Sequence, residues 1–224
     1  MNARNFLRKG ERQAVAEAVA DAERRTSAEF VCAIASESGR YDRAESLVGL
    51  VVGLLALAAV GLAASRPPAD SWLEARVIPL GWLALAVVVG FVLGSALASQ
   101  WHTVRRPFTT RGERDAEVAR AASHVFALSR LASTRKRAGV LIYVSVFERR
   151  VAVLADAGAA QVLGQSGIDE LRDLAGERLR GDRRLEAFGD TLRAAVERLA
   201  AALPAEVVDP DELPNALVIL HPRP

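Results

Sequence analysis

The sequence has few of the residues on which metal, thiol or imidazole chemistry depends. Its 224 residues include one cysteine and three histidines, and aromatic residues make up only 5% of the chain. A single cysteine excludes a disulfide within the chain. No HExxH, Walker A, GxGxxG or GxSxG motif is present either. The sequence motifs therefore do not support the commonest zinc-protease, nucleotide-binding and serine-hydrolase classes.

The few residues of these types have structural explanations. Cys32 alternates with Phe30 and Ile34 in an apolar run, which predicts a buried thiol on a strand. The three histidines have none of the spacings that metal ligands show. They are His102, His124 and His221.

Charge is absent from two long apolar blocks, residues 46–65 and 77–101. Each block reaches the roughly 20 residues that a helix needs to cross about 30 Å of hydrocarbon. The alternative is a pair of buried core helices, but such helices seldom stay free of charge over this length. We therefore predict two transmembrane helices joined by the short segment 66–76. The first block begins too far along the chain to be predicted as a signal peptide.

Arginines are distributed unevenly about this hairpin, and their distribution predicts its orientation. The connecting segment 66–76 holds two arginines, whereas six flank the hairpin on its outer sides. Basic residues close to membrane helices favour the cytoplasmic side. We thus expect an integral protein of the inner or plasma membrane with both termini in the cytoplasm. The flanking residues are Arg40, Arg43, Arg105, Arg106, Arg111 and Arg114.

Small residues recur at four-residue spacing in both apolar blocks. Such spacing lets helices approach each other closely. Three interpretations stay open: packing within the hairpin, contact with a second copy, and the general abundance of Gly and Ala in membrane helices. The residues are Gly49 and Gly53 in the first block, and Ala86, Gly90, Gly94 and Ala98 in the second.

The chain on either side of the hairpin predicts an α/β domain that the hairpin interrupts. Residues 1–45 have the pattern of a helix and a strand, and residues 102–204 that of a helix, two strands and two helices. The strand–helix–strand order predicts a parallel pair, and the short turn between the last two strands predicts an antiparallel pair. The expected fold is a small mixed sheet sandwiched by helices. The predicted strands are 28–36, 139–147 and 150–155, and the predicted helices outside the hairpin are one around Val15 to Ala22, one over 113–134, one capped by Ser166 and one over 184–203.

An acidic, Pro-containing tail over residues 205–224 follows this domain. Its last apolar run, Ala216 to Leu220, is expected to dock as an edge element of the sheet.

One long stretch resembles a known family. Residues 134–163 read TRKRAGVLIYVSVFERRVAVLADAGAAQVL, which is similar to the TPM-domain pattern R-T-G-V-L-I-F-V-S-x-x-E-R-x-V-E-I-x-A-D-x-G-I. A bacterial branch of that family has two transmembrane helices inserted after T-S-A-E-F-V and a closing D-E-L-P-N. Both short motifs occur here, at 26–31 and 211–215. The resemblance covers about 10–35 and 112–220, and it implies an α/β sandwich with a membrane anchor.

The resemblance also implies a chemistry, because some TPM proteins are associated with acid phosphatase activity or metal binding. The chain departs from the family pattern at Ala152, where the pattern has an acidic residue. That departure removes one carboxylate that a metal or phosphate site would use.

Three polar residues are the candidates for such a site. Asp156 follows the strand 150–155, at a strand end where sheet proteins place ligands, although Asp followed by Gly158 is also common turn chemistry. Glu29 begins the first strand, and the alternative for it is a solvent-facing strand start. Arg149 lies beside Glu148, and the alternative for both is a solvated turn with a weak local ion pair.

Two functions follow from these observations. The first is an interaction or assembly module at the cytoplasmic membrane face, with the lipid bilayer and another membrane protein or a second copy as partners. The second is a metal-dependent phosphatase-like hydrolase, in which Asp156 with Glu29 and Arg149 holds a divalent metal or a phosphate. A hydrolase needs two convergent carboxylates or a nucleophile with a base, so we prefer the module. No other cofactor is indicated, and no recognition motif accompanies the basic clusters, so nucleic acid is not an expected partner.

Overall fold

The computed structural model describes residues 2–64, 78–100, 106–129, 131, 137–205 and 216–224. It comprises two units, one formed by Met1–Gly39 with Gly112–Pro224 and the other by Arg40–Arg111. The first unit contains a four-stranded mixed sheet covered by helices, and the second contains the two apolar helices. This is the α/β architecture with a helical insertion that the sequence predicts.

The first unit contains four strands and four helices among the described residues. The strands are β1 (Glu29–Ala35), β2 (Gly139–Ser145), β3 (Arg150–Ala155) and β4 (Val218–Leu220), and the helices are α1 (Lys9–Glu23), α4 (Arg111–Leu128, which enters from the second unit), α5 (Ala157–Arg180) and α6 (Arg184–Leu199). The second unit contributes α2 (Asp42–Ala64) and α3 (Leu80–Gln100).

The order of the strands in the sheet is β3-β2-β1-β4. Strand β1 is parallel to β2 and to β4, and β2 is antiparallel to β3. The predicted parallel crossover and the predicted hairpin are both confirmed. The apolar end of the tail also docks as an edge strand, as expected, because Ala33–Ala35 pair with Val218–Leu220.

Both faces of the central strands are covered, which explains why every residue of β1 and β2 is buried. One face, with Phe30, Cys32 and Ile34, packs in a core shared with α1, α5 and α6. The opposite face, with Val31 and Ala33, packs against α4. Alternate residues of β1 therefore pack in two different cores. Because both sets of residues are apolar, the sequence of this strand is a continuous apolar run.

Several helix boundaries differ from the prediction; helix α6, for example, ends at Leu199 rather than at 203. Helix α4 ends at Leu128, earlier than the predicted 134. Helix α5 begins at Ala157 rather than at Ser166, because Asp156 provides its N-cap. The backbone of Gly164 leaves the helical conformation, with φ 64° and ψ 171°, a region that glycine enters without steric cost. Ser166 thus lies just after a break inside α5 rather than at its start.

The two apolar helices pack against each other through their glycines. A Cβ atom added at Gly94 would lie 2.8 Å from Val52 Cβ, and one added at Gly90 would lie 2.9 Å from Gly53 Cα. Because such distances leave no room for a side chain, glycine is what allows the helix backbones to approach. The glycines therefore serve packing within the hairpin, which is one of the interpretations that the sequence left open.

The outward surfaces of these helices are apolar and exposed. Leu54 and Leu55 of α2 are 53% and 63% exposed, and Leu93 of α3 is 63% exposed. Both helices are long and apolar enough to cross a membrane.

Candidate functional site

The polar residues of the sheet gather at two opposite edges. One edge is formed by the starts of β1 and β2 and the end of β3, and it holds Glu29 and Asp156. The other is formed by the carboxyl ends of β1, β2 and β4 and the turn between β2 and β3, and it holds Arg149. The three predicted site residues are thus divided between two edges.

Asp156 acts as the N-cap of α5. Its Oδ1 accepts a hydrogen bond from Ala157 N at 2.7 Å, and its own backbone N–H donates to Gly139 O at 2.8 Å. Its Oδ2 is buried, accepts no hydrogen bond within the described part of the chain, and lies 3.6 Å from Arg137 Nε. A capping carboxylate is favoured at this position because it satisfies a helix N–H and complements the helix dipole.

Glu29 is buried, with 9% of its surface exposed, so the expectation of a solvent-facing strand start is wrong. It pairs in register with Gly139, and Gly139 in turn bonds to Asp156. Glu29 and Asp156 therefore lie two strands apart, about 10 Å between backbones at an interstrand spacing of about 4.8 Å. A Cβ at Gly139, between them, would lie 2.7 Å from Leu131 O, so Leu131 packs closely against this position.

Arg149 does not join these carboxylates. It is exposed in the turn before β3, whereas Asp156 follows the other end of this strand. A strand of this length spans roughly 20 Å. In the parts of the chain that the structure describes, no group of three or more His, Cys, Asp or Glu side chains is placed to hold a metal ion.

Glu148 lies inside the protein, so the expectation that it belongs to a solvated turn is wrong. It is 0% exposed. Its Oε1 accepts a hydrogen bond from Ser38 N at 2.8 Å, and its Oε2 accepts one from Ser145 Oγ. Hydrogen bonds to a charged acceptor are stronger than neutral ones, which offsets the cost of burying the carboxylate.

A chain of hydroxyl groups continues from this carboxylate. Ser38 Oγ donates to Ser145 Oγ at 2.7 Å and lies 2.9 Å from the Tyr143 hydroxyl. Burial raises the pKa of Tyr143 to about 12; the hydrogen bond with Ser38 opposes this rise, and the charge of Glu148 adds to it. We call these four residues, Ser38, Tyr143, Ser145 and Glu148, the Glu148 network.

The C-terminal segment packs against the edge of the sheet that holds the Glu148 network. His221 Nδ1 lies 2.7 Å from Ser36 Oγ, which also accepts a hydrogen bond from Ala3 N at 2.9 Å. Arg223 Nε donates to Glu37 Oε1 at 2.8 Å. Residues 36–38, which follow β1, are therefore contacted by two other parts of the chain. The C-terminal segment bonds to Ser36 and Glu37, and Glu148 of the β2–β3 turn bonds to Ser38.

The arrangement is suited to holding this edge in one conformation rather than to admitting a substrate. Tyr143, Ser145 and Glu148 are at most 1% exposed, and only Ser38 is half-buried. Sequence reasoning missed the hydroxyl partners. The available signal was that Tyr143 and Ser145 share one face of β2 and that Glu148 follows Ser145 by three residues.

The single thiol has no role at either edge. Cys32 is 1% exposed, which confirms the predicted buried thiol. Burial raises the pKa of Cys32 well above its ordinary value, and the charge of Glu23 adds to the rise. A thiol of this kind is not a nucleophile at neutral pH.

The fold has a counterpart among solved structures. The chain is similar to the NMR structure of the BA42 protein from the psychrophilic bacterium Bizionia argentinensis sp. nov., with a TM-score of 0.55, 19% identity, and coverage of 95% of this chain and 94% of that one. At this identity the likeness concerns the fold alone. No protein-family model matches the chain, and no curated protein matches it.

Proposed function

We propose that the chain is a membrane-anchored interaction or assembly module with an α/β unit of the TPM type at the cytoplasmic membrane face. Helices α2 and α3 are its anchor, and the bilayer and another membrane protein or a second copy are its partners. The observation that carries the proposal is the outward apolar surface of the α2–α3 pair.

Exposure of this surface favours a membrane over a soluble core. Helices in a soluble core are mostly buried, whereas only 17% of the most apolar part of α2 and 11% of that of α3 are buried. Soluble monomers rarely expose continuous apolar patches beyond a few hundred Å². Lipid is the solvent that satisfies such a surface, and helices satisfy their own backbone hydrogen bonds within it.

The contacts of the motif residues support the TPM part of the proposal. Ser145 and Glu148, which match the V-S-x-x-E-R motif, bond to each other inside the protein. Asp156 and Gly158, which match A-D-x-G, cap α5 and bond to Arg137 O, respectively. Each of these motif residues thus makes a contact that fixes the fold.

A module is favoured over the alternative, a metal-dependent phosphatase-like hydrolase, because the residues on which a hydrolase would depend do not converge. Asp156 and Glu29 lie at one edge and Arg149 at the other. The direct comparison is wild type against Asp156→Asn, with divalent-metal binding and phosphomonoester hydrolysis as readouts. Metal-dependent hydrolysis by the wild type that is lost in the variant would replace the module with the hydrolase.

Membrane insertion and topology can be tested with engineered thiols. In a Cys32→Ala background, Lys9→Cys reports the N-terminal side and Ser71→Cys reports the segment between the helices. We expect the protein to remain in membranes after alkaline carbonate extraction. An impermeant maleimide should label Ser71→Cys in intact cells and Lys9→Cys only after permeabilisation. Release by carbonate, or the reverse labelling pattern, would contradict the proposed anchor or its orientation.

The partner can be sought with the same full-length protein. Mass measurement in lipid nanodiscs separates a single copy from a homo-oligomer, and crosslinking in native membranes before solubilisation captures a heterologous membrane protein. A single copy that gives no specific crosslink to a membrane protein would contradict the assembly role.

A further inference from the structure

The antiparallel packing of α2 and α3 brings the start of one helix beside the end of the other. Ser95 Oγ donates to Glu45 O at 3.4 Å, and a Cβ at Gly94 would lie 3.0 Å from Gly49 Cα. The short turn Arg106–Phe108, which follows α3 in the chain, packs against α2. Residues from both sides of the hairpin therefore gather at one end of this unit.

The two ends of the hairpin differ in charge. In the sequence, residues 40–45 and 105–111, which flank the hairpin, contain five arginines and two carboxylates, whereas the connecting segment 65–77 holds two arginines and two carboxylates. The first set is Arg40, Arg43, Arg105, Arg106 and Arg111 with Asp42 and Glu45, and the second is Arg66 and Arg76 with Asp70 and Glu74.

Three of these arginines have their charge available to a ligand. Arg40, Arg43 and Arg111 are exposed, and none forms a salt bridge with a residue that the structure describes. Several other arginines form ion pairs, as Arg178 does with Asp190 at 2.6 Å. Arg43 lies in the first turn of α2 and Arg40 just before it, and Arg111 follows the Arg106–Phe108 turn that packs against α2. Lipid headgroups would be found at this end if α2 and α3 span a bilayer.

We propose that Arg40, Arg43 and Arg111 form a docking surface for the headgroups of anionic phospholipids, here called the arginine end. The guanidinium group binds phosphate oxygens through two parallel hydrogen bonds and is only weakly hydrated. Attraction to an anionic leaflet contributes a roughly fivefold gain in binding for each basic residue near the surface, about 1 kcal/mol. This inference rests on the proposed membrane anchor, and it adds a choice of lipid to it.

The experiment uses the full-length protein in bilayers that mix phosphatidylcholine with phosphatidylglycerol, one of the two lipids being brominated. Bromine quenches nearby tryptophan fluorescence, so the quenching gives the relative affinity for each lipid. A Trp72→Phe/Trp82→Phe background leaves Trp101, which follows α3 in the sequence, as reporter of the arginine end. A Trp72→Phe/Trp101→Phe background leaves Trp82, which is 63% exposed near the start of α3, as reporter of the other end.

We expect brominated phosphatidylglycerol to be preferred at Trp101 by roughly fivefold or more and not to be preferred at Trp82. The variant Arg43→Gln/Arg111→Gln should lower the preference several-fold, because two of the three arginines are removed. The matched control Arg66→Gln/Arg76→Gln, which removes the same charge from the connecting segment, should keep it. Higher salt should weaken the preference because the surface charges are screened.

Three outcomes would overturn the inference in distinguishable ways. Equal quenching of Trp101 by both lipids means that the hairpin is inserted but the arginine end has no lipid preference. Loss of the preference on adding inorganic phosphate, but not chloride at equal ionic strength, means that the surface is a site for soluble phosphate. Quenching of neither reporter, with the protein failing to float with the vesicles, means that the membrane anchor itself is wrong.

Discussion

Glu148 accepts a hydrogen bond from the backbone nitrogen of Ser38 across 2.8 Å, although the two residues are separated by 110 positions in the chain. The contact joins the turn of the β2–β3 hairpin to the segment that leaves β1. Because the same carboxylate also bonds Ser145, three parts of the chain depend on one buried side chain. Replacing Glu148 should therefore lower the stability of the α/β unit measurably.

Replacing Glu148 with Ala should destabilise the α/β unit by about 2–3 kcal/mol, since Ser38 N and Ser145 Oγ lose a charged acceptor inside the protein. Its neighbour offers a matched control, because Arg149 is exposed and Arg149→Ala should change stability by less than about 0.5 kcal/mol. Cys32 is the only thiol and is buried, so the rate of thiol labelling below the unfolding transition reports opening of this unit. Equal labelling rates for the two variants would show that the Glu148 network does not stabilise the edge.

Replacing Gly94 with Leu should disrupt the packing of α2 on α3. A Cβ at Gly94 would lie 2.8 Å from Val52 Cβ, whereas nothing lies within 4 Å of one at Gly61. Overpacking of this kind costs about 1–3 kcal/mol, so the thermal midpoint of the detergent-solubilised protein should fall for Gly94→Leu. Gly61→Leu, on the same pair of helices, should leave it unchanged. A midpoint that is insensitive to Gly94→Leu would mean that the helices are not packed in this way.

Substitutions at Asp156 separate capping from ligand binding. Asp156→Ala should cost about 1 kcal/mol because it removes the acceptor for Ala157 N. Asp156→Asn keeps that acceptor and should cost less, losing mainly the interaction of the charge with the helix dipole and Arg137. Urea titration of both variants measures the difference. If Asn is as damaging as Ala, and the wild type binds a divalent metal by calorimetry while Asp156→Asn does not, then Asp156 is a ligand.

Tyr143 should make the stability of the protein fall at high pH. Its pKa is raised to about 12 in the folded state from an ordinary value of 10.0, so the folded state holds the proton that the unfolded state has lost. The contribution is complete below pH 10.0 and disappears as the pH rises to about 12, at up to about 1.4 kcal/mol for each pH unit.

Tyr143→Phe isolates this effect, because all other titrating groups are shared with the wild type. The difference in urea midpoint between the two proteins should shrink or reverse as the pH is raised through this window. A constant difference from about pH 9 to 12 would contradict the raised pKa. Near-ultraviolet tyrosinate absorbance of the folded proteins provides a second, direct measurement.

Much of the fold could be predicted because its signals are local. The charge-free blocks specified the long apolar helices, and the apolar runs around Cys32 and Ile142 specified strands buried on both faces. The direction of the strand pairs followed from the lengths of their connections. Even the docking of the tail could be anticipated from the apolar run that ends at Leu220.

The site could not be predicted in the same way, because the environment of a charged residue depends on partners that are distant in the sequence. A glutamate in a turn is ordinarily solvated, and Glu148 is buried only because Ser38 and Ser145 come to it. Asp156 looked like a ligand at a strand end, and it is a helix cap because α5 begins immediately after it. Asp156 is far from Arg149 because the two residues flank strand β3 at its opposite ends.

The sequence by itself determined where the apolar and charged segments lie, and thus the order and type of the main elements. Tertiary structure decided which polar groups face each other and which helices the glycines serve. The physical reason is the separation along the sequence of the residues that interact. Hydrophobic periodicity depends on residues only a few positions apart. Burial of a carboxylate and close approach of Gly94 to Val52 depend on chain segments that only folding brings together.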